Sequence, residues 1–287
     1  MLGKYCFKMF VKILNHIIFL FKRKYVTFNP VFIIGCGRSG TTILGTILSK
    51  HPEIKYLNER RDLWHKAYPE FDIWSGKQEM PKLFADKANV DFEKISLLKK
   101  LFFREQVLGN SKILLEKLPI NNFRLEFLNH AFPNAKYIYL TRNGLEVSKS
   151  IERKIKKNNW FTGKKLELLK EFSTQKNINF NCEIKTDLEK GMCEWKLSMD
   201  ESDLFFKKLN SEIFTHLSYQ DFIENTESSL EQIFSFLNLT YSNNLITELS
   251  KDISRKNKPI HSTDDEILKK IGGEILTKTI KNNYSPF

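Results

Sequence analysis

Cysteine is scarce in this chain, and the little there is does not organise. Cys6, Cys36, Cys182 and Cys193 are the only four in 287 residues, with no Cys-x-x-Cys pair and no histidines at ligand spacing. A disulfide framework and a metal site are therefore not expected, and a reducing compartment is the default. Long apolar runs are also missing. The nearest approach, Met9 to Phe21, holds Lys12, Asn15 and His16 and is too short to cross a bilayer comfortably. There is no internal repeat and no low-complexity tract. Acids are absent from residues 1–30, where Lys4, Lys8, Lys12, Lys22, Arg23 and Lys24 supply half of the formal net charge of +12.

Lys4, Lys8, Lys12, Asn15 and His16 fall along one helical stripe, while Phe7, Phe10, Leu14, Ile17, Ile18 and Phe21 fall on the opposite face. Residues 1–28 thus read as a basic amphipathic helix of the kind that lies in a membrane interface. The competing reading is a helix packed against the domain with its lysines in water. No small-residue cleavage site follows, which argues against a signal peptide. The expected location is cytoplasmic, peripheral at a membrane surface through residues 1–26, with a short signal anchor as the alternative. The remaining excess of positive charge suits an enzyme that draws in a multiply anionic small molecule. Nucleic acid is not the expected partner, because no nucleic-acid motif is present and the later basic residues are interspersed with acids.

Residues 29–287 read as one α/β domain. Hydrophobic residues make up 41% of the chain, with 24 Phe, which is ample for a packed interior. Strand-like runs at 31–34, 112–115, 136–140 and 213–217 alternate with helical patterns, which predicts a parallel sheet covered on both faces. A Lys- and Asn-rich stretch near 156–190 reads as a polar insertion.

The most informative stretch is Val31-Phe-Ile-Ile-Gly-Cys-Gly-Arg-Ser-Gly-Thr-Thr-Ile-Leu44. It reads as buried strand, tight loop and helix start, a turn that aims backbone N–H groups and the positive end of a helix dipole at an anion. The spacing Gly35-x4-Gly40-Thr41-Thr42 copies the phosphate loop of nucleotide hydrolases except that Thr41 stands where their Lys grips the β- and γ-phosphates. A cation, Arg38, sits inside the loop instead. The anion held there is thus not expected to be a magnesium-bound triphosphate. A second strand, Asn134 to Thr141, ends at Arg142, with Ser150 about two helical turns later. Ligands of open parallel sheets bind at the carboxyl ends of strands, so two such ends with anion-seeking groups predict a ligand with two separated phosphate-like groups.

The loop together with Arg142-x7-Ser150 resembles the sulfotransferases that use 3′-phosphoadenosine 5′-phosphosulfate (PAPS). Ser49-Lys-His-Pro-Glu-Ile54 with Asn58-Glu59, Glu116-Lys-Leu-Pro119, Phe132-Pro-Asn-Ala-Lys136 and Ser218-Tyr-Gln-Asp-Phe-Ile223 are similar to the tyrosylprotein and bacterial branches, and matches run from about residue 30 to 240. The resemblance implies a three-layer α/β/α fold with a central parallel sheet, like that of phosphate-loop nucleotide hydrolases. It implies a 5′-phosphosulfate site at Gly37, Arg38, Ser39, Gly40, Thr41 and Thr42. The 3′-phosphate site would be Arg142 and Ser150, with Lys154 or Arg153 adding a cation and Tyr219 approaching the adenine. Arg38 would neutralise charge on the bridging oxygen, Glu59 would be the general base and Lys117 would assist transfer. Lys256 and Lys258 would belong to a late basic loop over the donor, and the 156–190 insertion would line the acceptor side.

His51, His65 and Asp62 are the rivals to Glu59, Cys36 reads as a filler of the tight turn, and Trp195 as an inward-packing helix face. The scheme needs PAPS as co-substrate, no metal, and an acceptor bearing a hydroxyl or amine; saccharide, lipid, peptide and small alcohol stay open. A phosphate-loop kinase or NTPase lacking its Lys, or a non-catalytic membrane-tethered nucleotide-binding protein, are the alternatives.

Overall fold

In a computed structural model, residues 2–23, 26–158, 160–162, 164–178, 180, 183–253 and 265–280 are described. A helix α1 (Leu2–Lys22) precedes β1 (Pro30–Ile34), α2 (Thr41–Leu48), β2 (Ile54–Asn58), α3 (Arg61–Ala67), α4 (Phe92–Leu108) and β3 (Ile113–Lys117). Then follow α5 (Leu125–Ala131), β4 (Lys136–Thr141), α6 (Gly144–Asn158), α7 (Lys165–Gln175), α8 (Asp187–Phe206) and β5 (Phe214–Ser218). The last helices are α9 (Tyr219–Glu224), α10 (Thr226–Phe236), α11 (Asn243–Lys251) and α12 (Glu266–Ile280).

The five strands form one sheet in the order β2-β3-β1-β4-β5, with every neighbouring pair parallel. Side chains alternate across a strand, and β1 shows the consequence. Val31 and Ile33 join Leu44, Ile47, Leu230, Ile233 and Phe234 on the face covered by α2 and α10. Phe32 and Ile34 join the larger cluster on the opposite face, with Trp64 of α3, Phe102 of α4, Phe127 of α5 and Trp195 of α8. This is the predicted three-layer arrangement.

Four of the five strands correspond to the expected runs. The fifth, β2, is an edge strand with Lys55 and Tyr56 half-exposed and Asn58 exposed, so it has no apolar run to betray it. The polar stretch after 156 contains the well-formed helix α7.

The order of strands also sets where a ligand can sit. After β1 the chain turns to one side of the sheet, towards β2, and after β4 to the other, towards β5. The carboxyl ends of β1 and β4 therefore flank the topological switch point, where open α/β sheets bind ligands. Lys256 and Lys258 lie outside the described residues.

Candidate active site

Each of the five strands delivers an expected site residue at or just beyond its carboxyl end: the glycine loop after β1, Glu59 after β2, Lys117 ending β3, Arg142 after β4 and Tyr219 after β5. The loop is held from below by Asn122, whose side-chain oxygen accepts from Gly35 N at 3.0 Å, and closed by Ser39 N donating to Cys36 O at 3.0 Å. Gly40 has φ of 100°, and a Cβ there would lie 2.4 Å from the Tyr219 ring. The absence of a side chain is therefore a steric requirement as well as a conformational one. The first-turn N–H groups of α2 have no partners within the helix and face the loop's concavity.

The glycine loop and the β4 end are in direct contact. Arg38 Nε donates to Ser150 Oγ at 3.2 Å, and Arg142 donates to the carbonyl of Arg38 at 3.2 Å. The Arg142 guanidinium lies 3.9 Å over the Tyr219 ring and is fixed from the other side by Glu146, one helical turn on, at 2.8 Å. Burial, with Arg142 and Arg153 nearby, holds the Arg38 guanidinium below its ordinary value. Arg142 and Arg153 thus bring positive charge to bear on Arg38. Of Arg153 and Lys154, it is Arg153 whose charge acts on Arg38. Lys154, one residue later and so turned by about 100° around the helix, instead lines a separate hollow.

On the other side of the loop, Lys117 Nζ donates to Glu59 Oε1 at 2.6 Å and to Thr42 Oγ1 at 2.8 Å. Arg61 adds a 2.7 Å contact to Glu59 Oε2. Lys117 is fully buried, and burial pushes its ammonium below the ordinary value against the pull of Glu59. For Glu59, burial acts upward, but Lys117 and Arg61 outweigh it and leave the carboxyl below its usual range. Arg38 and Glu59 both have positive φ, 73° and 51°. Such strained conformations collect at functional sites. Of the loop hydroxyls, Thr42 is exposed and bonded to Lys117, whereas Ser39 and Thr41 are buried.

The rivals to Glu59 are engaged elsewhere. His51 is buried between Thr240 O and Glu53 N, His65 faces Asp72, and Asp62 is clamped by Arg60. Cys36 is fully buried, and desolvation drives its thiol pKa up, away from nucleophilic use. Trp195 is buried as expected, and it also donates to the Arg142 carbonyl at 3.0 Å.

Several contributors were not foreseen. Asn122 supports the loop from 87 residues away, and only the fold brings it there. Glu146 could have been read from its i+4 spacing to Arg142. Trp160 lies against Gly37, where a Cβ would meet its ring at 2.7 Å, and its indole N–H donates to Glu194 at 2.8 Å. Glu194 also pairs with the buried Lys165 at 2.7 Å. Trp160, Lys165, Trp74, Arg61 and Lys154 surround a hollow of about 200 Å³ beside the glycine loop. Next to Lys117, Glu116 is fully buried and bonded to Trp64 and Asn121; burial raises its carboxyl to about 8. Among the described residues, no group of three or more His, Cys, Asp or Glu is placed to hold a metal ion.

Comparison with known proteins identifies the family to which this fold belongs. The sequence profile of the Sulfotransferase family matches residues 30–243, well over half of the chain. The chain belongs to the sulfotransferase family. It is 24% identical to protein-tyrosine sulfotransferase A of Caenorhabditis elegans over 266 residues, covering 87% of this chain and 60% of that protein. It is 22% identical to protein-tyrosine sulfotransferase 2 of Gallus gallus over 257 residues, covering 87% and 62%. The chain therefore spans about three-fifths of the length of these relatives. Solved structures share the fold: a Mycobacterium avium sulfotransferase has a TM-score of 0.52 at 13% identity, covering 94% of this chain and 80% of that one. A Mycobacterium tuberculosis sulfotransferase has a TM-score of 0.52 at 15% identity, covering 91% and 81%.

Proposed function

We propose that the chain transfers the sulfuryl group of PAPS to a hydroxyl or amine acceptor. The observation that carries this reading is the joint between the glycine loop and the β4 end, Arg38 to Ser150 and Arg142 to Arg38 O. On this reading the cations of the loop and of the β4 end serve the 5′-phosphosulfate and the 3′-phosphate of one adenylyl donor. Arg142, Ser150 and Arg153 serve the 3′-phosphate, the α2 first turn and Thr42 the 5′ end, and Tyr219 the base.

In the reaction the acceptor oxygen forms a bond to sulfur while the bond from sulfur to the bridging oxygen breaks. The acceptor proton passes to the Glu59 carboxylate, and the bonding pair leaves with adenosine 3′,5′-bisphosphate. The step resembles phosphoryl transfer, in which positioning and charge stabilisation dominate. Lys117, bonded to both Thr42 and Glu59, is the cation that this reading sets at the bridging oxygen in place of Arg38, whose guanidinium is turned to Ser150 and so joins the two anionic ends. The hollow walled by Trp74 and Trp160 is the acceptor side. A tyrosyl peptide is the first acceptor to test, because the relatives are protein-tyrosine sulfotransferases; glycans and glycolipids follow.

Helix α1 is the peripheral anchor of this reading. It packs on α4 through Phe19 and Phe103 at 6.1 Å, and Lys22 reaches Asn110 at 3.0 Å. Its apolar stripe nevertheless points outward: Phe10, Leu14, Ile17 and Phe21 are exposed, Phe21 by 73%. This counts against the reading in which the helix buries its apolar face on the domain. The side chains of Phe7, Lys4, Lys8 and Lys12 lie outside the described set. Among the described residues, no helix is long and apolar enough to cross a membrane.

Incubating the protein with radiolabelled PAPS and separate tyrosyl-peptide, glycan and lipid pools tests the proposal. Label should move to one pool and fail to move with Glu59→Gln. Magnesium-dependent ATP hydrolysis without sulfuryl transfer would favour the phosphate-loop kinase reading.

A further inference from the structure

Between the segment that follows α1 and the outer face of α4 lies an open groove of about 450 Å³ that no part of the reaction uses. Val26 and Phe28 form one wall, Ile95 and Phe103 the other, and Lys99 and Lys100 stand on its rim. Its floor is a run of ring contacts: Phe28 meets Phe103 at 6.0 Å and Phe132 at 6.3 Å. The ammonium of Lys99 lies 5.7 Å from the centroid of Phe132, so a positive charge is held beside the apolar trough. Phe92, at the outer end, is 85% exposed, more than any other large apolar side chain of the described residues.

This groove lies beside α1, on the side where the helix packs against α4. Phe103 touches Phe28 inside the trough and Phe19 of α1 outside it. A phenylalanine trough with lysines on its rim matches neither a peptide strand nor a polar metabolite. It matches a hydrocarbon chain attached to an anionic head: the rings replace water around the methylenes, and the ammonium groups meet the head's charge. A soluble domain rarely leaves an apolar trough of this kind facing water unless something covers it.

We propose that the α1–α4 groove holds one acyl chain of an anionic phospholipid in the bilayer on which α1 lies, with Lys99 and Lys100 at its headgroup. The site rests on the peripheral-membrane reading of α1 and is independent of the sulfuryl-transfer chemistry. It turns a diffuse interfacial contact into one that selects for headgroup charge and for a free chain.

The test is cosedimentation of the full chain with vesicles of phosphatidylcholine alone and of phosphatidylcholine with phosphatidylglycerol. Ser96, which lines the trough, is replaced by Trp to fill it, and Lys99→Gln/Lys100→Gln removes the rim charge. Phe92→Glu, at an exposed position that folding does not depend on, is the second probe of the trough, and each variant is first checked for an unchanged thermal transition. The unmodified chain should bind the anionic vesicles far better than neutral ones. Ser96→Trp and Phe92→Glu should each weaken that binding by about tenfold, the equivalent of losing two or so buried methylenes. The double Lys variant should bring binding near the neutral-vesicle level. Failure of the unmodified chain to bind anionic vesicles overturns the membrane reading and the groove together. Binding that persists unchanged in both trough variants overturns the groove and leaves the α1 anchor standing.

Discussion

Lys117 holds Glu59 by a 2.6 Å contact, and the same ammonium lies 2.8 Å from the Thr42 hydroxyl at the start of α2. The general base of the proposed reaction is thus charged and occupied until something draws Lys117 towards the donor. A bridging oxygen that gains negative charge during transfer does so, and the loosened carboxylate becomes a better proton acceptor as sulfur moves.

This coupling has a pH signature. Lys117 and Arg61 keep the Glu59 carboxyl below its usual range against the upward effect of burial. The acid limb of kcat/KM, which reports the free enzyme, should therefore lie below the ordinary carboxylate range. Replacing Lys117 with Met leaves burial unopposed by its strongest partner, so the limb should move to higher pH while turnover falls. An unmoved limb in a folded Lys117→Met protein would remove Glu59 from the base role.

Glu59→Gln keeps the shape of the side chain and one hydrogen-bonding oxygen but cannot take a proton. Turnover should fall by about 10²–10⁴, the usual contribution of a positioned base. Affinity for adenosine 3′,5′-bisphosphate should change little, since in the proposed reaction the carboxylate serves the acceptor. Calorimetry beside steady-state kinetics separates the two effects.

Gly40→Ala places a methyl 2.4 Å from the Tyr219 ring in a residue with φ of 100°. It should both destabilise the fold, by roughly 1–3 kcal/mol for the strained backbone alone, and disturb Tyr219, on which the Arg142 guanidinium lies. A lowered thermal transition with weakened nucleotide binding is the expected pair of results. Tyr219→Ala in the same chain should restore part of the stability and none of the affinity.

His216 gives a stability test away from the chemistry. Burial lowers its pKa to about 4, and its ring nitrogen is engaged with Thr141 Oγ1 at 2.9 Å. Between the ordinary imidazole value and about 4 the unfolded chain binds the extra proton and the folded chain does not, so stability must fall as pH drops through that window. Urea midpoints measured from neutral pH down to about 4 should show the fall, and His216→Gln should flatten it.

The glycine loop, β4 and Arg142 were legible because a buried parallel strand is an apolar run and its carboxyl end is where the polar residue interrupts it. The same logic missed β2, whose edge position leaves Lys55 and Tyr56 half in water. Adjacent residues on a helix defeat it too: Arg153 and Lys154 differ by one step in sequence but serve different openings. Asn122 under Gly35 and Trp160 against Gly37 are contacts between distant segments, and no local pattern encodes them.

If one donor spans the glycine loop and the β4 end, its 3′-phosphate must add affinity through Arg142. Adenosine 3′,5′-bisphosphate and adenosine 5′-monophosphate differ only in the 3′-phosphate, so they can be titrated by calorimetry, with chelator present, against the unmodified chain and Arg142→Ala. Arg142→Ala should lower affinity for the bisphosphate to about that of the monophosphate and leave the monophosphate unchanged. Equal losses for both nucleotides, or no loss for either, would contradict it.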